Sequence, residues 1–259
     1  MKRLPVNGPF TISLLGIWLV VLLPGQAAKS QTPQDFLDSL VGQKLILRHF
    51  GDVKEVKLKK DNLAGAKGTC DVAVQVRSAS WDRGKARLHW EQIGLPYVPG
   101  KPRGVCKNTV VFSEGSVEIS EFAFDEPVAS LAASLSLILQ TPEQYLAVEG
   151  IHFDLPAEPD LENVGPAPAQ PFTPPKILLT VDPAFSEDAR KAKYQGSLAV
   201  SMYVGADGRI HRPNVRRKLG LGLDEMALNV LPMWRFEPAR KLEKAVAVQQ
   251  SVEIDFRLY

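Results

Sequence analysis

The last fourteen residues, Val246 to Tyr259, alternate almost without a break. Val246, Val248, Val252, Ile254, Phe256 and Leu258 share one parity, while Gln249, Ser251, Glu253, Asp255 and Arg257 take the other. Side chains of a strand point to opposite faces with period two, so the pattern demands a long strand with one face buried. A typical strand runs about 5–6 residues, so part of this one is expected to reach beyond its own sheet. An unpaired edge of that length invites pairing with another chain, and a protein must either cover it or use it.

The elements upstream are readable in the same way. Leu223, Ala227, Val230, Leu231 and Trp234 form one apolar stripe, with Asp224 and Glu225 in the first turn, which predicts a helix that Pro232 ends or kinks. Leu198, Val200, Met202 and Val204 alternate with Ser197, Ala199, Ser201 and Tyr203, the pattern of a half-buried strand. Asp207-Gly208 turns the chain into a hairpin. The returning strand, 209–217, carries Ile210 and Val215 on opposite parities, so a bulge is expected at Arg212-Pro213. Ser186 to Tyr194 reads as a helix, with Glu187 and Asp188 where the helix dipole favours negative charge.

Residues 157–175 are rich in Pro, Ala and acidic side chains and have no hydrophobic period, so they read as an extended, semi-rigid spacer. Before it, Leu45 to Leu47, Val53 to Leu58, Val72 to Val76, Ala86 to Trp90, Thr109 to Phe112 and Ser116 to Phe124 are predicted strands separated by Gly- and Pro-containing turns. Helices are expected at Pro33 to Leu40, Pro127 to Gln140 and Pro142 to Val148. The last of these has Thr141 as its N-cap and Pro142 at its first position. The class is α+β. The organisation is an N-terminal segment 1–30, a β-rich domain of unknown role over 31–155, a Pro-rich linker over 156–175 and a C-terminal domain over 176–259.

The N-terminal segment has the layout of a secretory signal peptide: Lys2 and Arg3, an apolar run from Ile12 to Leu23, then Pro24-Gly25 and small residues. Cleavage after Ala27 or after Ser30 suits the small-residue rule. Retention as a membrane anchor is the alternative, since the stretch from Phe10 to Ala28 approaches the roughly 20 apolar residues that a spanning helix needs. The segment is therefore expected to export the chain, with membrane contact only if it is retained. Cys70 and Cys106 are the two cysteines. In an exported chain such a pair most often forms a disulfide, worth about 4 kcal/mol in the chain-entropy picture; two buried free thiols are the other reading.

The ordered motifs of the C-terminal part resemble the C-terminal domain of TonB-family energy transducers. The resemblance rests on Pro183-Ala184-Phe185, Ala189, Gly196, Asp207-Gly208, Gly220, Leu223-Asp224, Ala227, Trp234-Arg235-Phe236, Pro238-Ala239 and Phe256-Arg257-Leu258. Three features depart from that family. Ser186 stands where a second Pro is usual, and the N-terminal apolar run lacks the histidine through which family transducers couple to their motor proteins. The Pro-rich segment 157–175 is also short beside the long periplasm-spanning arm usual there, reaching roughly 60 Å at about 3.1 Å per residue when fully extended. The resemblance implies a short antiparallel sheet packed on helices. It also implies partners among the TonB boxes of outer-membrane receptors, which add as an extra strand beside the last one, a β-augmentation mode.

On that reading the partner-binding strand comprises Val246, Val248, Gln250, Val252, Ile254 and Phe256. Gly196, Asp207, Gly208, Leu223, Asp224, Trp234, Phe236 and Pro238 hold the frame. Alternatively the last strand is a central core strand or a homodimer edge. The partner is an outer-membrane receptor, another envelope protein or a second copy. The resemblance together with the N-terminal segment implies an exported periplasmic protein that binds such partners. The alternatives are an energy transducer anchored in the inner membrane and facing the periplasm, and a soluble cell-wall-binding or structural periplasmic protein.

Other classes find little support. With 45% hydrophobic and 23% charged residues and a net charge of +2, the chain lacks the basic excess of a nucleic-acid binder. His49, His89, His152 and His211 are scattered, with no pair at metal-ligand spacing. No nucleophile elbow, phosphate loop or dinucleotide fingerprint occurs. No catalytic residue, metal or cofactor is expected. Trp81, Trp90 and Trp234 are read as core.

Overall fold

The computed structural model describes residues 32–51, 53–65, 70–101, 114–123, 128–152 and 173–258. The N-terminal segment, the predicted strand from Thr109 to Phe112, Cys106 and most of the Pro-rich segment lie outside these residues. Residues Thr32–Tyr259 form one compact unit. In chain order its elements are α1 (Pro33–Leu40), β1 (Lys44–Leu47), β2 (Glu55–Lys59), β3 (Val72–Asp82), β4 (Lys85–Tyr97), β5 (Glu114–Ser120), α2 (Val128–Ser136), β6 (Leu139–Gln140) and α3 (Pro142–Val148). Then come β7 (Lys176–Pro183), α4 (Glu187–Lys191), β8 (Gly196–Val204), β9 (Ile210–Arg217), α5 (Leu223–Val230), β10 (Arg235–Glu237), β11 (Ala239–Lys241), β12 (Lys244–Val246) and β13 (Val248–Phe256). Among the described residues no helix is long and apolar enough to cross a membrane.

Local chemistry sets several boundaries. Thr32 and Thr141 each open a helix with a reciprocal capping box, to Asp35 and Gln144 respectively, and each is followed by Pro. The cap satisfies amide groups that a first helical turn leaves open, and Pro costs nothing there. Ser186 does the same for α4, its hydroxyl accepting from the Ala189 amide at 3.1 Å. The Ser that replaces the family's usual Pro is thus a working N-cap. The expected helix from Pro127 to Gln140 stops at Ser136, because Leu139 and Gln140 pair instead with Leu47 and Ile46.

An eight-stranded sheet runs in the order β10-β7-β4-β3-β1-β6, with β5 on β4 and β2 parallel to β5. β4 divides its edge: Ala86 to Glu91 pair with β5, and Gly94 to Tyr97 pair with β7. Gly94 permits that second pairing, since a Cβ there would sit 2.4 Å from the Asp182 carbonyl oxygen. Strand pairing therefore joins the two parts of the chain that flank the Pro-rich segment.

The sheet is buried on both faces. Leu45, Leu47, Val72, Val74 and Val76 pack into one core with Leu88, Trp90 and α1 and α2 residues. Ile46, Ala73 and Ile93 face the opposite core with Leu179, Leu198, Leu223, Trp234 and Phe256. Double-sided burial explains why Leu45-Ile46-Leu47 and Val72-Ala73-Val74 are continuous apolar runs rather than alternations.

Candidate docking edge

The second sheet has three antiparallel strands in the order β13-β8-β9. Its central strand, β8, is apolar on the side that meets the core, through Leu198, Val200, Met202 and Val204. The two outer strands differ sharply. β13 pairs with β8 in an unbroken register of nine positions, from Val248 opposite Val204 to Phe256 opposite Gly196. β9 pairs with β8 in a register that shifts twice, with residues Arg212-Pro213 and Arg216 looped out of step. Arg212 adopts φ 48°. This bulge lies where the opposed parities of Ile210 and Val215 placed it.

Bulges, proline and charge are the devices by which proteins blunt an exposed sheet edge. β9 has all three. β13 has neither bulge nor proline, and its only strand partner among the described residues is β8. In an antiparallel ladder alternate residues direct their N–H and C=O groups to each side, so every second residue of β13 directs a pair away from β8, and no other described strand takes it.

The side chains of β13 follow the expected alternation. Val248, Ile254 and Phe256 are buried, Gln250 and Val252 half-buried, and Gln249, Ser251, Glu253 and Asp255 exposed. The apolar residues assigned to partner binding thus point into the core and hold the strand in place. What a visitor meets is the ladder edge and the polar residues. Two expectations need correction. β13 does not run past its sheet, because all nine residues have a β8 partner. Val246 belongs to a separate hairpin, paired with Ala239, and Ala247 interrupts the strand. Alternation records which side chains are buried, not which strand lies alongside, so two ladders in succession read as one.

On the open face Arg217 of β9 and Glu253 of β13 form an ion pair. They can meet because Ala199, paired with both, is small. Ser197 donates to Asp255, and Arg216 donates from Nε to the Ser201 hydroxyl at 2.9 Å.

Residues 181–258 match the family model of the Gram-negative bacterial TonB protein C-terminal. The C-terminal part of the chain carries a TonB C-terminal domain. No curated protein matches the chain. TonB C-terminal domains act in the envelope in energy transduction and binding rather than catalysis, and typically interact with outer-membrane receptors.

The TonB motif residues build the frame around the three-stranded sheet. Gly196 opens β8 opposite Phe256, and Phe256 meets Phe185 edge-on with centroids 5.4 Å apart. Asp207 is 5% exposed; its carboxylate accepts from the Arg209 amide at 3.1 Å and lies 2.9 Å from His211 Nε2. The Gly208 carbonyl accepts from the Phe236 amide, which ties the hairpin to β10. Gly220 sits at φ 86°, a conformation that penalises other residues. Asp224 then receives the Leu219 and Gly220 amides at 2.8 and 3.1 Å, fixing the loop before α5. Leu223 and Phe236 lie in the core, Pro238 is buried, and Trp234 donates its indole N–H to the Val181 carbonyl at 3.1 Å. Trp90 is also core, whereas Trp81 is half-buried against Phe122.

Sequence reasoning missed Arg235. It sits inside the Trp-Arg-Phe motif yet is 5% exposed, and its guanidinium meets Glu143 of α3 at 2.8 Å. Its Nη1 also donates to the Pro232 and Trp234 carbonyls. Glu143 in addition pairs with Arg209 at 2.8 Å. Burial pushes the Glu143 carboxyl up, but the charges of Arg235 and Arg209 outweigh it and hold the group below its ordinary range. Burial works against the Arg235 charge, and Glu143 supports it. A charged residue directly before an apolar strand position was the one available signal.

Proposed function

We propose that this is an exported envelope protein whose TonB C-terminal domain binds protein partners by strand addition along β13. The partners are TonB-box-like segments of outer-membrane receptors. The observation that carries the reading is the contrast between an unbroken nine-residue edge and a blunted one on the same small sheet. Main-chain hydrogen bonds along β13 supply affinity, and the exposed row Gln249, Ser251, Glu253 and Asp255 supplies selectivity. The basic start and apolar run at the N-terminus support export to the periplasm. Cys70, which carries no free thiol, supports a disulfide to Cys106 in that oxidising compartment. Intact mass of the protein from its native envelope separates a cleaved chain from an anchored transducer.

Strand addition is tested with a synthetic TonB-box peptide and two proline variants, Gln250→Pro and Ser251→Pro. Of two adjacent strand residues, one directs its N–H to β8 and the other outward. Proline at the inward position breaks the sheet; at the outward one it removes only a donor that the peptide needs. The variant that keeps its native circular dichroism spectrum is expected to lose peptide binding. Retained affinity in that folded variant refutes strand addition.

A further inference from the structure

We infer that the β11–β12 hairpin is a second contact point for the docked partner, and that it fits an apolar socket rimmed by carboxylates on the body of that protein. The inference rests on the strand-addition reading. The hairpin pairs Ala239 with Val246 and Lys241 with Lys244, leaving a two-residue turn, Leu242-Glu243. Both turn residues have positive φ, 48° and 62°. Such turns favour Asn-Gly, because a side chain in the left-handed region is strained. Leu242 is nevertheless there, and at 88% exposure it is far more open than the next large apolar residue among those described, Val148 at 56%.

The turn is braced from within and from one side. Arg240 donates from Nη1 to the Glu243 carbonyl at 3.0 Å, and the Arg240 backbone exchanges two hydrogen bonds with Thr173. Lys241 and Lys244 flank the tip, and neither is paired among the described residues. Arg240, Lys241 and Lys244 outweigh the exposed Glu243 of the turn, and an apolar knob on a stem of net positive charge suits an apolar hole with an acidic rim. A lipid surface accepts any conformer, so a fixed, strained turn gains nothing there. A shaped protein socket rewards such preorganisation. Only Ala247 separates β12 from β13, so the hairpin adjoins the Val248 end of the β13 edge, within reach of the body of a protein docked there.

The test compares the full chain with its Leu242→Asn/Glu243→Gly variant against two probes. One is a synthetic TonB-box peptide; the other is an outer-membrane receptor purified from the same envelope in detergent. The variant installs the turn sequence that the backbone prefers, so its melting temperature is expected to rise. Its affinity for the receptor is expected to fall about tenfold or more, with peptide affinity unchanged. Unchanged receptor affinity alongside intact peptide binding overturns the hairpin contact alone. Absence of peptide binding by the unmodified chain overturns strand addition and this inference with it. Leu242-dependent binding to vesicles containing phosphatidylglycerol assigns the tip to a membrane surface and also overturns it.

Discussion

The two outer strands of the small sheet share one central strand and differ in almost every other respect. β9 is bulged twice, carries Pro213 and Arg212 at φ 48°, and enters from Arg209, which is tied to Glu143 of the N-terminal part. β13 is regular, nine residues long and anchored through Phe256 and Ile254 in the core. β9 carries the features that blunt an edge, and β13 carries the regularity that strand addition requires. The difference teaches that two edges of one sheet can be equally outermost and still differ in how regular a ladder they present.

The largest expected effect on binding follows from breaking that regularity. The proline variant of β13 that stays folded should lose about tenfold or more in peptide affinity, because it removes one ladder bond worth about 1 kcal/mol and its ring crowds the strand that would lie alongside. Titration calorimetry with the peptide measures it. The same peptide should bind a β9 variant as well as it binds the unmodified chain.

The largest effect on stability lies in the clamp behind the β9 side. Replacing Glu143 by Ala strands the Arg235 charge, whose side chain is 6% exposed. Removing one partner of a buried pair costs about 3–5 kcal/mol, and the lower end applies because Glu143 itself is 32% exposed. Urea unfolding should show this loss while peptide affinity stays within about twofold. The carboxyl also predicts a pH dependence. Its pKa is lower in the folded than in the unfolded chain, so its contribution is present in full above the unfolded value, about 4.3. That contribution is lost as pH falls towards the folded value. Glu143→Gln should therefore be less stable than the unmodified chain at neutral pH and show a shallower loss of stability below about pH 4.5. Equal slopes on acidification would mean the carboxyl does not carry the clamp.

A smaller effect lies in the bulge itself. Arg212→Gly relieves a left-handed residue and should stabilise the fold by about 0.5–1 kcal/mol, seen as a rise in melting temperature. It leaves Pro213 and the register shift in place, so the edge stays blunted and the protein stays no more self-associated than before. Sedimentation velocity checks that. New association through β9 would show that the strained Arg212, rather than the bulge, protects the edge.

How much of this was legible in advance depends on the range over which each signal acts. Capping boxes are local, and the helices opened by Thr32 and Thr141 begin and end at the predicted residues. The Arg212-Pro213 bulge was also forced locally, by two apolar residues of opposite parity. Partner choice is not local. The break at Ala247, the pairing of Leu139-Gln140 with β1, and the Glu143–Arg235 bridge across 92 residues leave no mark within a window of ten. The sharing of one sheet between the two parts did leave a mark. Continuous runs such as Leu45-Ile46-Leu47 imply that a second layer covers the far face. That layer is the TonB C-terminal domain itself.

The smallest predicted effect concerns the open face between the two edges. Arg217 and Glu253 are 58% and 61% exposed, and pairs of that kind contribute about 0–1 kcal/mol, less as salt rises. Arg217→Ala should therefore change stability by less than about 0.5 kcal/mol in denaturant unfolding. Its value lies in what it frees. Glu253 stands in the middle of β13, and without Arg217 its charge is free to meet whatever pairs with that strand. A peptide carrying Lys or Arg opposite Glu253 should bind the variant more tightly than the unmodified chain, and a peptide carrying Asp or Glu there more weakly, both differences shrinking in high salt. If the two peptides bind alike, the exposed row does not read the partner's sequence. Selectivity must then come from elsewhere, with the Leu242 hairpin the next place to measure.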